Sequence, residues 1–411
     1  MKLTKIDQTK SPRNLTGKIK TLPSDFVVQE IPLYEPCGEG EHLYINVRKT
    51  RTSHDECVRQ IAKHFDVSKR DVGCAGRKDF HAVTTQMFSV YLRGKKPAVP
   101  ETIGNAEILG SSFHTNKLRL GHLVGNKFVL RVRGIDEQEL PTIQQRLQTL
   151  SDCGMPNFFG PQRFGNHANN HELGLHLVKE DWDSLVETLL RGQDPHHVFV
   201  NKGEHKRGLD AWPFGQPAER NVLEAIVRGK NSQQACKTIS KQLCKLWVNA
   251  LQSSLFNDVL QERIADETWK TLLEGDLAWK HDGGGRTFAV TEEELLTDDL
   301  QTRVDSFSLS PSGPLWGAKM RLPSGNVLAK EIAVWESAGL TDECLECMRK
   351  YANGARRALC VQVTESSLRF SCDEHGDFIE LKFALPAGSY ATVTAGICLG
   401  QSSSRFKEIS E

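Results

Sequence analysis

Two strand patterns joined by one short charged turn, between Val72 and Val90, constrain this chain more than any other feature. From Ala82 to Val90 the residues alternate. Val83, Thr85, Met87 and Ser89 fall on one side, and Ala82, Thr84, Gln86, Phe88 and Val90 on the other. A period of two in β-branched and aromatic residues is the pattern of a strand. Val72 to Ala75 reads as a shorter strand, and Gly76-Arg77-Lys78-Asp79 as the turn between them. Asp79 is thereby expected where a strand begins, a position from which a rigid scaffold presents a reactive side chain. Arg77 and Lys78 beside it would favour an ionised carboxylate. Taken alone, the pattern describes a hairpin with a solvated tip as well. The Gly-x4-Gly-Lys-Ser/Thr spacing of a phosphate-cradling loop is absent.

The 411 residues suffice for two or three domains, and a composition of 38% hydrophobic and 25% charged residues is that of a soluble globular protein. No apolar run has the length of a membrane helix, so no membrane association is expected. The first ten residues carry charge without the apolar centre of a signal peptide. Eleven scattered cysteines do not form an extracellular disulfide framework, and a reducing, cytoplasmic setting is expected. Net charge is zero but segregated: residues 1–150 hold 24 Lys and Arg against 16 Asp and Glu. Lys2, Lys5, Lys10, Arg13, Lys18 and Lys20 face only Asp7 within residues 1–22, and Lys117, Arg119, Lys127, Arg131 and Arg133 face no acid within 114–133. Such a basic face can follow a phosphate backbone; a solvated surface is the plainer alternative.

Along the chain, Lys18 to Gln29 reads as a strand, a Pro-punctuated turn and a second strand. His42 to Lys49 reads as a strand, and Ser53-His-Asp-Glu56 as a capping box opening a helix to about Val67. Residues 94–112 are Gly- and Pro-rich with one weak strand. A strand starts at Gly125-Asn126-Lys127-Phe128, a helix spans Asp136 to Leu150, and Asn157 to Gly165 forms a packed loop with Arg163 available to a carboxylate or phosphate. Residues 166–361 are mostly helical: helices over 182–190, 218–229, 232–265, 291–300 and 342–353, a loop over 202–217 and a flexible Gly283-Gly-Gly-Arg turn. Strands return at 359–363, 368–371 and 378–385.

Some chemistry is disfavoured. Cys344-x-x-Cys347 with Cys360 and Cys372 could be drawn as a zinc site, but the first pair lies in a helical pattern and the others in strand patterns. Structural zinc takes two close pairs on turns, so no metal site is expected. His196-His197 reads as solvated, and neither His-Glu-x-x-His nor Gly-x-Ser-x-Gly occurs.

Three motifs, in order along the chain, resemble the TruD family of tRNA pseudouridine synthases. They are Gly76-Arg-Lys-Asp79-x-x-Ala82-Val83-Thr84-x-Gln86, Asn157-Phe-Phe-Gly160-Pro-Gln162-Arg163-Phe164-Gly165 and Leu385-Pro-Ala-Gly388-Ser-Tyr390-Ala-Thr. The resemblance implies an RNA-modifying isomerase that converts a uridine in tRNA, by family usage at position 13, to pseudouridine without cofactor or metal. That reaction needs an ionised carboxylate, a cation beside it, aromatic surfaces and access to an extruded nucleotide. The resemblance assigns Asp79 as nucleophile or electrostatic catalyst and Lys20 as its charge partner. Phe26, Asn126, Phe128 and Tyr390 would surround the base, with Asn126 reading its edge and Phe128 stacking. The second motif would be structural. The implied fold is α+β: a pseudouridine synthase-type catalytic domain with a mixed or antiparallel sheet from residues 1–154 and 358–411, and an inserted, mostly helical family-specific domain, 155–357, enlarged near 170–235. tRNA is the expected partner of a monomer. The family tends to continue beyond Thr394 with a charged helix; here Ala-Gly-Ile-Cys-Leu-Gly-Gln follows, so no role is expected beyond about residue 392. Two other classes compete: a non-catalytic tRNA-binding or folding module, and a metal or thiol enzyme built on Cys344 and Cys347.

Overall fold

The structure, a computed structural model, describes residues 15–282 and 284–401. Lys2, Lys5, Lys10 and Arg13 of the basic N-terminal stretch, and Gly283 of the glycine turn, lie outside the described residues. The chain divides into two compact units: the chain up to Met155 together with that from Val361 onward, and Pro156–Cys360.

In the first unit the strands are β1 (Phe26–Pro32), β2 (His42–Thr50), β3 (Val72–Cys74), β4 (Val83–Tyr91), β5 (Thr102–Ile103), β6 (Ala106–His114) and β7 (Leu123–Arg133), completed by a hairpin of Thr364–Asp373 and Gly376–Pro386. Among the described residues these nine form one sheet. Its order runs from the hairpin through β7, β1, β4 and β2 to β6 and β5, with β3 also on β4. β1 lies parallel to β4 and antiparallel to β7, so the sheet is mixed and the class α+β, as expected. Leu130 of β7 pairs with Phe26 on one side and Leu381 on the other, joining the two ends of the chain. Gly125 permits this closure: a Cβ there would lie 2.2 Å from the Leu385 carbonyl oxygen.

One face of the sheet carries a helix, and a second helix packs at the hairpin. α1 (His54–His64) buries Cys57, Ile61 and Ala62 against Ile45, Val47, Phe88 and Val90. α2 (Leu140–Cys153) reaches the hairpin through the Ser151 hydroxyl, 2.8 Å from that of Ser366. Strand parity puts Phe26, Val28 and Glu30 of β1, Asn126 and Phe128 of β7, and Thr84 and Gln86 of β4 on this face. The opposite face of β7 carries Arg131 and Arg133. Two details correct the sequence reading. α1 stops at His64, because Asp66 turns the chain with φ +52°. Residues 94–112 hold most of a nine-residue strand, β6, which runs on to His114; its Glu107, Gly110, Ser111 and Ser112 mask the alternation while its backbone pairs along most of β2.

The second unit is built on a 25-residue helix, Lys241–Ala265, whose Trp247, Val248, Leu251 and Leu255 share a core with Leu173, Leu177, Leu185 and Trp335. It also holds a four-stranded sheet in the order Thr287–Ala289, Leu277–Lys280, Leu309–Leu315, Ala355–Ala358. The helix expected over 232–265 is two helices, Ser232–Cys236 and Lys241–Ala265, the second capped by the Ser240 hydroxyl. The loop expected over 202–217 contains the helix His205–Ala211. The helix expected over 291–300 is split into Glu292–Leu295 and Asp298–Asp305, and that expected over 342–353 ends at Met348.

Candidate active site

The Gly76–Asp79 loop joins β3 to β4 and is tied down along its length. The Gln86 side-chain amide donates to the Gly76 carbonyl at 3.0 Å. Arg77 reaches out to Asp55 at 3.7 Å, both largely exposed. Lys78 turns inward to Glu30 at 2.8 Å, with the two side chains only 5% and 3% exposed. The other Glu30 oxygen accepts the Met87 amide at 3.2 Å. The Lys49 ammonium donates to the Asp79 carbonyl at 3.3 Å and to that of Thr52 at 2.8 Å. Arg77 and Lys78, expected to hold Asp79 ionised, are thus engaged by other carboxylates. Lys20 meets the Asp79 carboxylate at 3.3 Å.

Lys20 is held in place by its flanks. Its backbone is left-handed, φ +62°, uncommon for a residue with a side chain. On one side Lys18 exchanges two backbone hydrogen bonds of 2.9 Å with Arg133. On the other, a 3₁₀ turn, Pro23–Asp25, places the fully buried Asp25 carboxylate where it accepts the Leu22 amide at 3.0 Å. The Arg133 guanidinium clamps Asp25 at 2.7 and 2.9 Å and reaches Asp373 at 2.7 and 2.9 Å. Its hydrogen bonds hold the Asp373 carboxyl well below the usual carboxylate range.

The Lys20 ammonium lies 4.4 Å from the centroid of Phe26, within cation–π range. Phe26 meets Phe128 edge-on at 6.3 Å, and Phe128 meets Phe383 at 5.7 Å. Asn126 stands two residues from Phe128 on the same face, opposite Glu30 and Leu385. Its side-chain oxygen is buried and lacks a hydrogen-bond partner among the described residues. Tyr390 follows Pro386, which pairs with Gly125, and stands half-buried at the start of the helix Ala391–Cys398. The structure therefore joins Asp79, Lys20, Phe26 and Phe128 by direct contacts, sets Asn126 beside them on β7, and puts Tyr390 just past the strand next to β7. The helix after Tyr390 is apolar and mostly buried, in place of a charged one.

Several other expectations need correction. Most of the basic 114–133 stretch is engaged: Lys127 pairs with Glu365 at 2.6 Å, Arg131 with Asp373 and Glu380, Arg133 with Asp25 and Asp373, and Lys117 donates to the Arg70 carbonyl. Arg163 is also engaged, donating to the Ser253 hydroxyl at 2.9 Å beside Phe159. His196 and His197 are buried against Trp212 instead of solvated. With Asp194 they form, among the described residues, the one group of three metal-capable side chains that lie close together. Cys344 and Cys347 are core residues of the helix Asp342–Met348, and burial pushes the Cys347 thiol up, away from the thiolate a nucleophile requires.

Sequence reasoning missed Lys49, Glu30 and the Lys78–Glu30 pair. A signal for the first two was present. Lys49 falls in phase with the inward Leu43, Ile45 and Val47, and Glu30 in phase with Phe26 and Val28. A charge in the buried phase of a strand requires a partner.

The family described as tRNA pseudouridine synthase D (TruD) matches residues 8–395. The tRNA pseudouridine synthase D of Geobacter sulfurreducens is 36% identical over 388 residues, 92% of this chain and 92% of that protein. That of Geobacter metallireducens is 35% identical over 92% and 93% of the two chains, and that of Syntrophotalea carbinolica 33% over 92% and 94%. A solved Methanosarcina mazei structure described under the same family name covers 95% of each chain at TM-score 0.76 and 24% identity, and so shares the fold. With a family match running nearly end to end and relatives more than 30% identical over nine-tenths of it, this chain belongs to the tRNA pseudouridine synthase D family.

Proposed function

We propose that this protein isomerises a uridine of tRNA to pseudouridine with Asp79 as the reactive carboxylate, and that the target is position 13. The enzyme class follows from the family; the residue roles are our reading. The observation that carries them is the contact of Asp79 with Lys20 beside an aromatic row, Phe26, Phe128 and Phe383. In the reaction the C1′–N1 bond breaks, the base turns, and a C1′–C5 bond forms. The C5 proton leaves and N1 takes one up, so the product is an isomer. Asp79 acts at the ribose side of the breaking bond, and Lys20 faces its carboxylate with a positive charge at 3.3 Å. Phe26 and Phe128 supply faces for the detached base, and Tyr390 lines the pocket. The unpartnered Asn126 oxygen accepts from the uracil imide; a buried acceptor without a donor costs about 1–3 kcal/mol, which a bound base would relieve. The catalytic unit is the chain up to Met155 with that from Val361, the middle unit is the family-specific insertion, and the enzyme works as a cytoplasmic monomer without cofactor or metal.

The decisive experiment is tritium release from tRNA labelled at uracil C5, with wild type and Asp79→Asn compared. Release by wild type alone supports the assignment. Release by both removes Asp79 from the mechanism. Binding of tRNA by both with release by neither would favour a binding module.

A further inference from the structure

Lys49 is a buried cation that the proposed mechanism does not use. It lies near the end of β2 with 1% of its surface exposed, among the most enclosed large side chains of the molecule. Lysine is rarely buried this completely, because removing an ammonium from water is costly unless its protons are bound. For packing alone, an unbranched apolar side chain of similar length would serve as well. The two hydrogen-bond acceptors the structure gives its Nζ are both main-chain carbonyls, those of Thr52 at 2.8 Å and Asp79 at 3.3 Å. Directly across the strand pair, the buried Thr84 hydroxyl has no partner among the described residues. Burial lowers the affinity of Lys49 for its proton, with Cys57 and Asp79 opposing and Lys78 adding to that effect.

The neighbouring anchors complete the picture. Gln86 fixes Gly76 and Glu30 fixes Lys78, which anchors the loop ahead of Asp79. The Lys49 ammonium grips the backbone of that residue from within the sheet, while Lys20 meets its carboxylate. We infer that Lys49 is a positioning residue, a buried ammonium that fixes the main chain of Asp79 so that its carboxylate stands at the reacting ribose. The inference rests on the reading of Asp79 given above.

The test is steady-state tRNA isomerisation by the full-length protein carrying Lys49→Met, Lys49→Gln, Lys49→Arg or Asp79→Asn, each with a thermal melt. Small misplacements of a reacting group are expensive, so Lys49→Met should lower kcat about 30- to 100-fold while KM for tRNA stays within about twofold. Lys49→Gln, which keeps one donor, should fall between Lys49→Met and wild type, and Lys49→Arg should recover about tenfold of the loss. A role limited to stability would move the melt and leave the kcat of folded protein alone. Folded Lys49→Met within about threefold of wild-type kcat, alongside an inactive Asp79→Asn, overturns the inference and leaves the role of Asp79 standing. An active Asp79→Asn removes the reading beneath it instead. Failure of both neutral variants to fold also overturns it, since the ammonium would then be a requirement of the fold.

Discussion

The Arg356–Glu331 pair and the Lys20–Asp79 pair use the same chemistry in different settings. In the second unit, Arg356 meets Glu331 fork to fork at 2.6 and 2.8 Å, and its Nε and Nη2 also donate to Ser312. The two side chains are 3% and 2% exposed. Burial pushes the Glu331 carboxyl up, and the hydrogen bonds from Arg356 oppose that shift in part. In the first unit one lysine nitrogen faces one carboxylate oxygen at 3.3 Å, and the side chains are 18% and 26% exposed. A saturated pair is finished and can only hold structure. A half-open pair of this kind leaves a carboxylate partly exposed, which the proposed role of Asp79 requires.

This contrast can be broken by substitution. Asp79→Asn should lower kcat about 10³-fold or more, about 4 kcal/mol of transition-state stabilisation, and leave the thermal midpoint nearly unchanged. A large fall in midpoint would erase the distinction between the pairs. Arg356→Met should do the reverse: strand Glu331, cost about 3–5 kcal/mol in denaturant unfolding, and leave the activity of each folded molecule intact. Lys20→Met should cost about 10- to 100-fold in rate with a stability change of about 1 kcal/mol, as befits a part-exposed pair. A third pair sharpens the scale. The folded-state affinity of Asp373 for a proton is depressed by Arg133, so its stabilisation is complete above the ordinary aspartate range, begins to fall there, and is lost as pH drops through the depressed folded value. The melting temperature should therefore decline from about pH 4 downward, and Asp373→Asn should decline less steeply.

Legibility followed the range of the interactions. The strand on either side of the Gly76–Asp79 loop was readable because alternation is local, and the helix Trp182–Leu190 because its apolar spacing is regular. The break before Lys241 was hidden because Cys236 and Cys244 enter the same core on both sides of it, carrying the apolar pattern through the Ser240 cap. The engagement of Arg133 by Asp25 and Asp373 was not readable at all. Those residues come from three distant stretches, and nothing local distinguishes a clamped arginine from one that follows a phosphate backbone. The grip of Lys49 on Asp79 lay between these cases: its inward phase was visible, but its partner was not.

The register that sets Leu130 opposite Leu381 also bears on synthesis. The strand beside β7 emerges from the ribosome only after the whole middle unit has been made, so the aromatic row that includes Phe383 cannot form on a growing chain. The middle unit shortens the wait. Its two ends are already tied, with the Asn157 amide 2.9 Å from the Leu359 carbonyl and the Asn157 side chain donating to the Ala358 carbonyl. Once that knot has formed, the loop left to close between β7 and its late partner is several times shorter, a saving of roughly 1–2 kcal/mol in closure entropy. The insertion thus acts as a splint for the sheet it interrupts, and the proposed site is completed last, when Phe383 and Tyr390 arrive.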